Sequence, residues 1–225
     1  MTRIVYINAS PRTDDVTASG SFIHMLEKHF TGYDVEEARI HVRKSILSHQ
    51  PDSDFETMSK ADTLVIVFPL YFFCLPGLLT RFVQDYYSYY LKNKIQVRGQ
   101  KIYAIVNCGF PEVDINTEAV KVIKSFSQHV GAEFRFAIMV GSGGMVIGAK
   151  DAPFMKKTLA ALEQAMELLA QDAVSDGADT VGNIQIMVKC PRWLYYFMAN
   201  KGFVHTASKN GISRKAILRK RYQPD

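Results

Sequence analysis

The chain is poor in cysteine and lacks the motifs that metal or acyl-enzyme chemistry needs. Its three cysteines, Cys74, Cys108 and Cys190, are odd in number, far apart and never spaced as CxxC. That excludes a disulfide framework and a cysteine-rich zinc site, and suits a reducing compartment. HExxH and GxSxG are both missing, and His24 and His29, five apart, share no helix face, so neither a metal centre nor an acyl-enzyme is expected. Glycine-rich residues 141–148 fall short of two nucleotide motifs. Val146 stands where the dinucleotide fingerprint needs its third glycine, and Ala149-Lys150-Asp151 breaks the Walker pattern begun by Gly143 and Gly148.

Long apolar runs are scarce too. Residues 63–80 carry no charge over 18 positions, the lower edge of a spanning helix. Pro69, Pro76 and Gly77 cut that stretch into a buried strand and its loop. Met1-Thr2-Arg3 leads straight into an apolar run with no signal-like segment, so a cytoplasmic protein is expected. Acidic residues are absent between Asp179 and Asp225, where nine lysines and arginines fall. With a formal charge of +5 overall, the first 178 residues are mildly acidic and the tail is chemically distinct. Such a tail suits nucleic acid, an anionic membrane surface or anionic small molecules.

What is present is ordinary globular material. At 225 residues, 48% hydrophobic and 22% charged, the chain suits one domain with an appendage and needs no staples to bury a core. Apolar runs at 3–8, 63–68, 101–106 and 134–140 read as buried strands, with a weaker one near 33–40. Between them, helical spacing appears over Ser19–Phe30, from Pro76 at an expected first helical position, over Thr117–Val130 and from about Pro153 to Ala173. Ser53-Asp54-Phe55-Glu56 has capping-box spacing for a brief further helix. Strict alternation through residue 173 predicts an open parallel sheet covered by helices on both faces. The polar stretch Ser175–Gly182 closes this domain, 1–182. Residues 183–225 then form a basic, aromatic-rich helical extension, expected to pack its rings on the core and keep its charges solvated.

Ligands of such sheets bind beyond the carboxyl ends of the strands, near the point where strand order reverses. The first loop there offers Ser10 and Arg12, then Thr17, Ser19 and Ser21 at a helix start. Hydroxyls, free amides and the helix dipole together suit an anion such as phosphate. Pro69, Leu70, Tyr71, Phe72 and Phe73 follow the second loop's strand, and three successive aromatics suit stacking on something flat or burial at an interface. Asn107-Cys108-Gly109 and Gly141-Ser142-Gly143-Gly144 offer flexible backbone amides for a ring's polar edge. Cys108, a lone cysteine after a buried strand, reads as packing.

Three blocks carry a resemblance over roughly the first 150 residues. They are Asn8-Ala9-Ser10-Pro11-Arg12, then Ala61 to Tyr71 continuing into Leu75-Pro76-Gly77, then Asn107-Cys108-Gly109-Phe110. In that order they resemble the flavodoxin-like NAD(P)H-dependent FMN reductases and quinone reductases, with Ala9 where a glycine is usual. The resemblance implies a doubly wound, five-stranded parallel sheet of order 2-1-3-4-5. It implies FMN with its phosphate near Ser10, Arg12, Ser19, Ser21 and Phe22. Pro69, Leu70, Tyr71 and Phe72 would lie along the ribityl chain and ring, with Asn107, Cys108, Gly109, Gly143 and Gly144 at the ring. It also implies a homodimer whose second subunit helps roof the flavin, which suits the tyrosines of residues 86–90. The expected activity passes hydride from NADPH or NADH through FMN to quinones or similar flat acceptors, the flavin and no side chain carrying the chemistry. A flavodoxin-type electron carrier, or a protein binding through its basic tail, are the alternatives. Nucleic acid and membrane are not the expected partners.

Overall fold

The computed structural model describes residues 1–12, 17–97, 99–175 and 180–219. Six parallel strands form one sheet: β1 (Thr2–Asn8), β2 (Val35–His41), β3 (Thr63–Pro69), β4 (Lys101–Asn107), β5 (Glu133–Val140) and β6 (Ile184–Ile186). Their order is β2-β1-β3-β4-β5-β6. The expected order holds, but the sheet is one strand wider than the five expected. β6 is only Ile-Gln-Ile, too short to show a period in sequence, and pairs with β5 from Ile138↔Ile184 to Val140↔Ile186. Because β6 belongs to the sheet, the compact units divide after Val188 rather than after Gly182.

The strand order follows from which residues tolerate burial on both faces. β3 is buried from Thr63 to Phe68 and β4 from Ile102 to Asn107, as central parallel strands require. β2 alternates apolar positions with Glu36, Glu37 and Arg39, and it takes an edge. Charge on one edge and brevity on the other discourage pairing with further chains.

The helices are α1 (Ala18–Lys28), α2 (Val42–Leu47), α3 (Asp52–Lys60), α4 (Gly77–Lys92), α5 (Thr117–His129), α6 (Gly143–Gly148) and α7 (Lys156–Val174). Val5, Ile7, Leu64, Ile66 and Val106 bury against Phe55 of α3, Leu79 and Phe82 of α4 and Ile123 of α5. Phe55 meets the rings of Phe82, Tyr86 and Tyr89 at centroid distances of 5.2, 5.6 and 5.5 Å. Each such pair contributes roughly 0.5–1.5 kcal/mol beyond its area. The alternate residues serve the other face, where Tyr6 meets Phe30 after α1 and Tyr103 bonds Asp172 of α7.

Local signals were modified in three places. Ser53 is not a cap: α3 starts at Asp52, two residues before the expected Asp54, after Pro51 in αR geometry, and the Ser53 carbonyl accepts from Thr57 Oγ1. Pro76 stands one residue ahead of α4 rather than at its first position. The glycine-rich stretch is no open loop, since Gly143–Gly148 forms α6.

The second unit begins at Lys189 and contains α8 (Arg192–Lys209) and α9 (Arg214–Ile217), broken apart at Asn210-Gly211 with Gly211 at φ 73°. Ser213 caps α9 by accepting from the Ala216 amide. Among the described residues, no helix is long and apolar enough to cross a membrane.

Candidate functional site

β1 connects to β2 on one side while β3 lies on the other, so strand order reverses between β1 and β3. The rim above this point carries the carboxyl ends Asn8, Pro69, Asn107 and Val140. There the first loop is tied down residue by residue. The Ser10 amide donates to Asn8 Oδ1 at 3.0 Å, and the Arg12 amide donates to Ser10 Oγ at 3.2 Å. His41 Nε2 lies 2.9 Å from the Arg12 carbonyl, and Arg43 donates to the Pro11 carbonyl at 2.6 Å. Thr17 caps α1, accepting from the Gly20 amide at 3.0 Å. Thr13 to Val16, the slightly acidic part of the loop, lie outside the described residues.

Ser10 and Ser19 are buried beside the start of α1, Ser21 is half-buried and Arg12 is exposed. The first turn of α1 holds no acidic residue to oppose an anion. Phe22 is wholly buried; its ring anchors the helix in the core and leaves only its backbone for a ligand. His41 and Arg43 are absent from the sequence-based set. They follow a weak edge strand, and nothing in the sequence marks them as holding the first loop.

The second loop is strained. Tyr71 and Cys74 close a two-residue turn, amide to carbonyl, at 3.0 and 2.9 Å. Phe72 and Phe73 between them have φ of 48° and 61°, the left-handed geometry that such turns normally give to Asn-Gly. Each side chain held there costs about 1–2 kcal/mol. The strain gains no packing, since Phe72 is fully exposed, Phe73 61% and Tyr71 45%. Strain without packing, together with bare aromatic rings at a strand-end rim, is the kind of feature from which a functional hypothesis starts.

Asn107 organises the third and fourth loops. It is buried; its Nδ2 donates to the Phe68 carbonyl at 3.2 Å and its carbonyl accepts from the Leu70 amide at 2.7 Å. A Cβ on Gly143 would lie 2.8 Å from both Asn107 Cβ and Oδ1, so this glycine is required by close packing. The Gly143 amide donates to the Cys108 carbonyl, Cys108 to Val140, Ser142 to Phe110 and Gly141 to Ile186. The Cys108, Gly141, Ser142 and Gly143 amides, expected to be flexible, are therefore committed to the chain itself. Gly109 and Gly144 are exposed, and Pro69 and Leu70 are half-buried behind the aromatic turn. Cys108 is buried, its Sγ 3.3 Å from the Phe110 carbonyl and 3.5 Å from Asn116 Nδ2, the position of a packing thiol.

The rim thus brings Ser10, Ser19, Ser21 and the start of α1 to one side and Tyr71 and Phe72 to the other. A cavity of about 660 Å³ opens on the α1 side, lined among others by Asn8, Ser21, His24, Val146, Lys150 and Glu163. That volume is in the range of small-molecule sites. Tyr71 and Phe72 do not line it; their side of the rim is an open shelf.

The opposite rim holds a buried ionic cluster. Asp172 accepts from Tyr103 at 2.5 Å and from Arg135 at 2.7 and 2.9 Å, while Lys101 Nζ donates to the Asp172 and Ser175 carbonyls. Burial works to raise the Asp172 pKa, but hydrogen bonds from Arg135 and Tyr103 outweigh it and hold the carboxyl below its ordinary value. The Tyr103 hydroxyl is pushed up, first by burial and then by that carboxylate.

A doubly wound parallel sheet whose strands run in the order 2-1-3-4-5 defines the flavodoxin-like class. The family with the flavodoxin-like fold matches residues 2–166, and the chain belongs to it. Among solved structures, an NADH:FMN oxidoreductase in its apo form is similar at 17% identity, covering 86% of this chain and 98% of its own, with a TM-score of 0.58. An FMN-dependent NADH-azoreductase from Bacillus anthracis strain Ames Ancestor, in complex with FMN, is 16% identical, covers 76% and 100%, and has a TM-score of 0.53. A flavone reductase is 12% identical, covers 80% and 66%, and has a TM-score of 0.56. At these identities the likeness is one of fold. No curated protein matches the chain in sequence.

Proposed function

We propose that the protein is an FMN-dependent oxidoreductase that takes hydride from NADH or NADPH and reduces quinones or similar flat acceptors. The observation that carries this reading is the strained, exposed Phe72 beside the anion-suited start of α1, on the rim where β1 and β3 part. FMN-dependent and NADH-dependent proteins among the structures of similar fold agree with it.

The donor set fits a phosphorylated flavin. Ser10, Ser19 and Ser21, the α1 dipole and Arg12 suit the phosphate, with no carboxylate in the first helical turn. Tyr71 and Phe72 suit a flat ring, and Pro69 and Leu70 would line the chain between. Bound there, FMN would accept hydride from the nicotinamide and pass two electrons on to the acceptor. The chain's own part is positional. Asn107 and Gly143 fix the loop behind the ring, and His41 and Arg43 hold the phosphate loop in place. The aromatic turn excludes water from one ring face. Cys108, Gly109 and Gly144 would border the ring through the backbone course they set.

The open shelf suits completion by a second copy of the chain. Tyr87 and Tyr90 of α4, stacked at 6.3 Å, with Leu91 exposed beside them, offer an apolar surface for one. The test is anaerobic addition of NADH or NADPH to FMN-loaded protein, followed by a soluble quinone. Loss and return of the flavin absorbance are expected. Flavin that neither nicotinamide reduces would instead mark an electron carrier.

A further inference from the structure

We infer that the C-terminal unit lies on an anionic lipid surface, its apolar side chains among the headgroups and its cations on lipid phosphates. After Arg192, α8 continues with Trp193-Leu-Tyr-Tyr-Phe-Met-Ala199, an unbroken apolar run of nearly two turns. Such a run places apolar side chains on every side of the helix, and a helix apolar all round needs cover all round. None of the α8 residues is buried, and Trp193 and Phe203 are 72% and 74% exposed. The other helix of the unit, α9, has only four residues, and Ile212 and Leu218 around it are exposed as well.

Charge selects the occupant. Lys189 and Arg192 precede the apolar run, Lys201 and Lys209 follow it, and α9 adds Arg214 and Lys215, with no carboxylate between Asp179 and Asp225. A second copy of the same unit would set these cations against their equals. Nucleic acid would match the charge and stack on the rings, yet it would leave the exposed aliphatic side chains Ile212 and Leu218 without apolar cover. An anionic bilayer surface answers both. Tryptophan and tyrosine favour the headgroup level, aliphatic side chains sink below it, and lysine and arginine reach back to the phosphates. Lys201 Nζ already lies 4.9 Å from the centre of the Phe197 ring, an ammonium and a ring at one level. Since no described helix can cross a membrane, the unit lies on the surface and does not span it.

Trp193 is the chain's one tryptophan, so intrinsic tryptophan emission reports α8 alone. Purified full-length protein is mixed with vesicles of phosphatidylcholine, with or without phosphatidylglycerol. With the anionic vesicles the protein is expected to co-sediment, with blue-shifted Trp193 emission and weaker quenching by acrylamide. Raising salt from about 0.1 M to about 1 M, which shortens the Debye length from about 10 Å to about 3 Å, should release it. Joint replacement Lys201→Gln, Lys209→Gln, Arg214→Gln, Lys215→Gln and Arg219→Gln, all at exposed positions, should lower partitioning at least about a hundredfold. Its circular dichroism should be unchanged. Protein that stays in the supernatant with anionic vesicles would overturn the inference. So would Trp193 emission already blue-shifted and shielded without lipid, because the chain or a second copy would then supply the cover. Preferential binding to a single-stranded homopolymer RNA would overturn it in favour of nucleic acid.

Discussion

The two rims of one sheet are built on opposite principles. At the amino ends of β4 and β5, buried charges are matched: Asp172, Arg135 and Tyr103 satisfy one another, and Lys101 ties down two carbonyls. At the carboxyl ends, the chain leaves two phenylalanines in left-handed geometry with their rings exposed. One rim is invested in holding the fold and the other keeps strain that the fold does not need. The difference is the main support for the proposal that the flavin binds at the carboxyl-end rim.

The largest effect should come from the lower rim. Asp172→Ala leaves Arg135 and the Tyr103 hydroxyl without their carboxylate, and should lower unfolding stability by about 3–5 kcal/mol, the cost of breaking a buried pair. Urea unfolding measures it. Because the Asp172 pKa is depressed in the fold, its contribution is present above the unfolded value of about 3.9 and is lost as pH falls through the folded value. The variant should therefore show a shallower acid loss of stability below about pH 4 than the parent.

Gly143→Ala should act at the upper rim. Its Cβ would meet Asn107 at 2.8 Å, costing about 1–3 kcal/mol in stability. FMN titration should show affinity weakened by more than the roughly tenfold that each 1.4 kcal/mol represents. Full flavin affinity in this variant would detach the Asn107 loop from the site. Phe72→Asn sharpens the comparison from the other side, because asparagine tolerates the left-handed region. It should stabilise the protein by up to about 1 kcal/mol while slowing quinone reduction. The smallest effect belongs to neither rim. The buried Tyr86 hydroxyl has no hydrogen-bond partner among the described residues, so Tyr86→Phe should be neutral or stabilising by up to about 1 kcal/mol, with flavin affinity unchanged.

The sheet was legible where burial leaves no choice of residue. Thr63 to Phe68 admits only a central strand, and the rim loops are found simply by reading past such runs. Features made by contacts distant in sequence were not legible. Gly143 is required by Asn107, so α6 and the commitment of its amides could not be seen in a glycine-rich segment. The left-handed turn hid because Phe72 and Phe73 are neither glycine nor asparagine. β6 hid because three residues carry no period, and Ser53 failed as a cap because Pro51 fixes the helix start first.

A rim that holds a phosphorylated flavin must distinguish FMN from riboflavin, and equilibrium titration of the purified protein with each in turn measures that difference. Saturable binding of one FMN per chain, with riboflavin bound at least about tenfold more weakly for want of the phosphate contacts, is the predicted result. No binding of either flavin, or equal binding of both, would contradict the account.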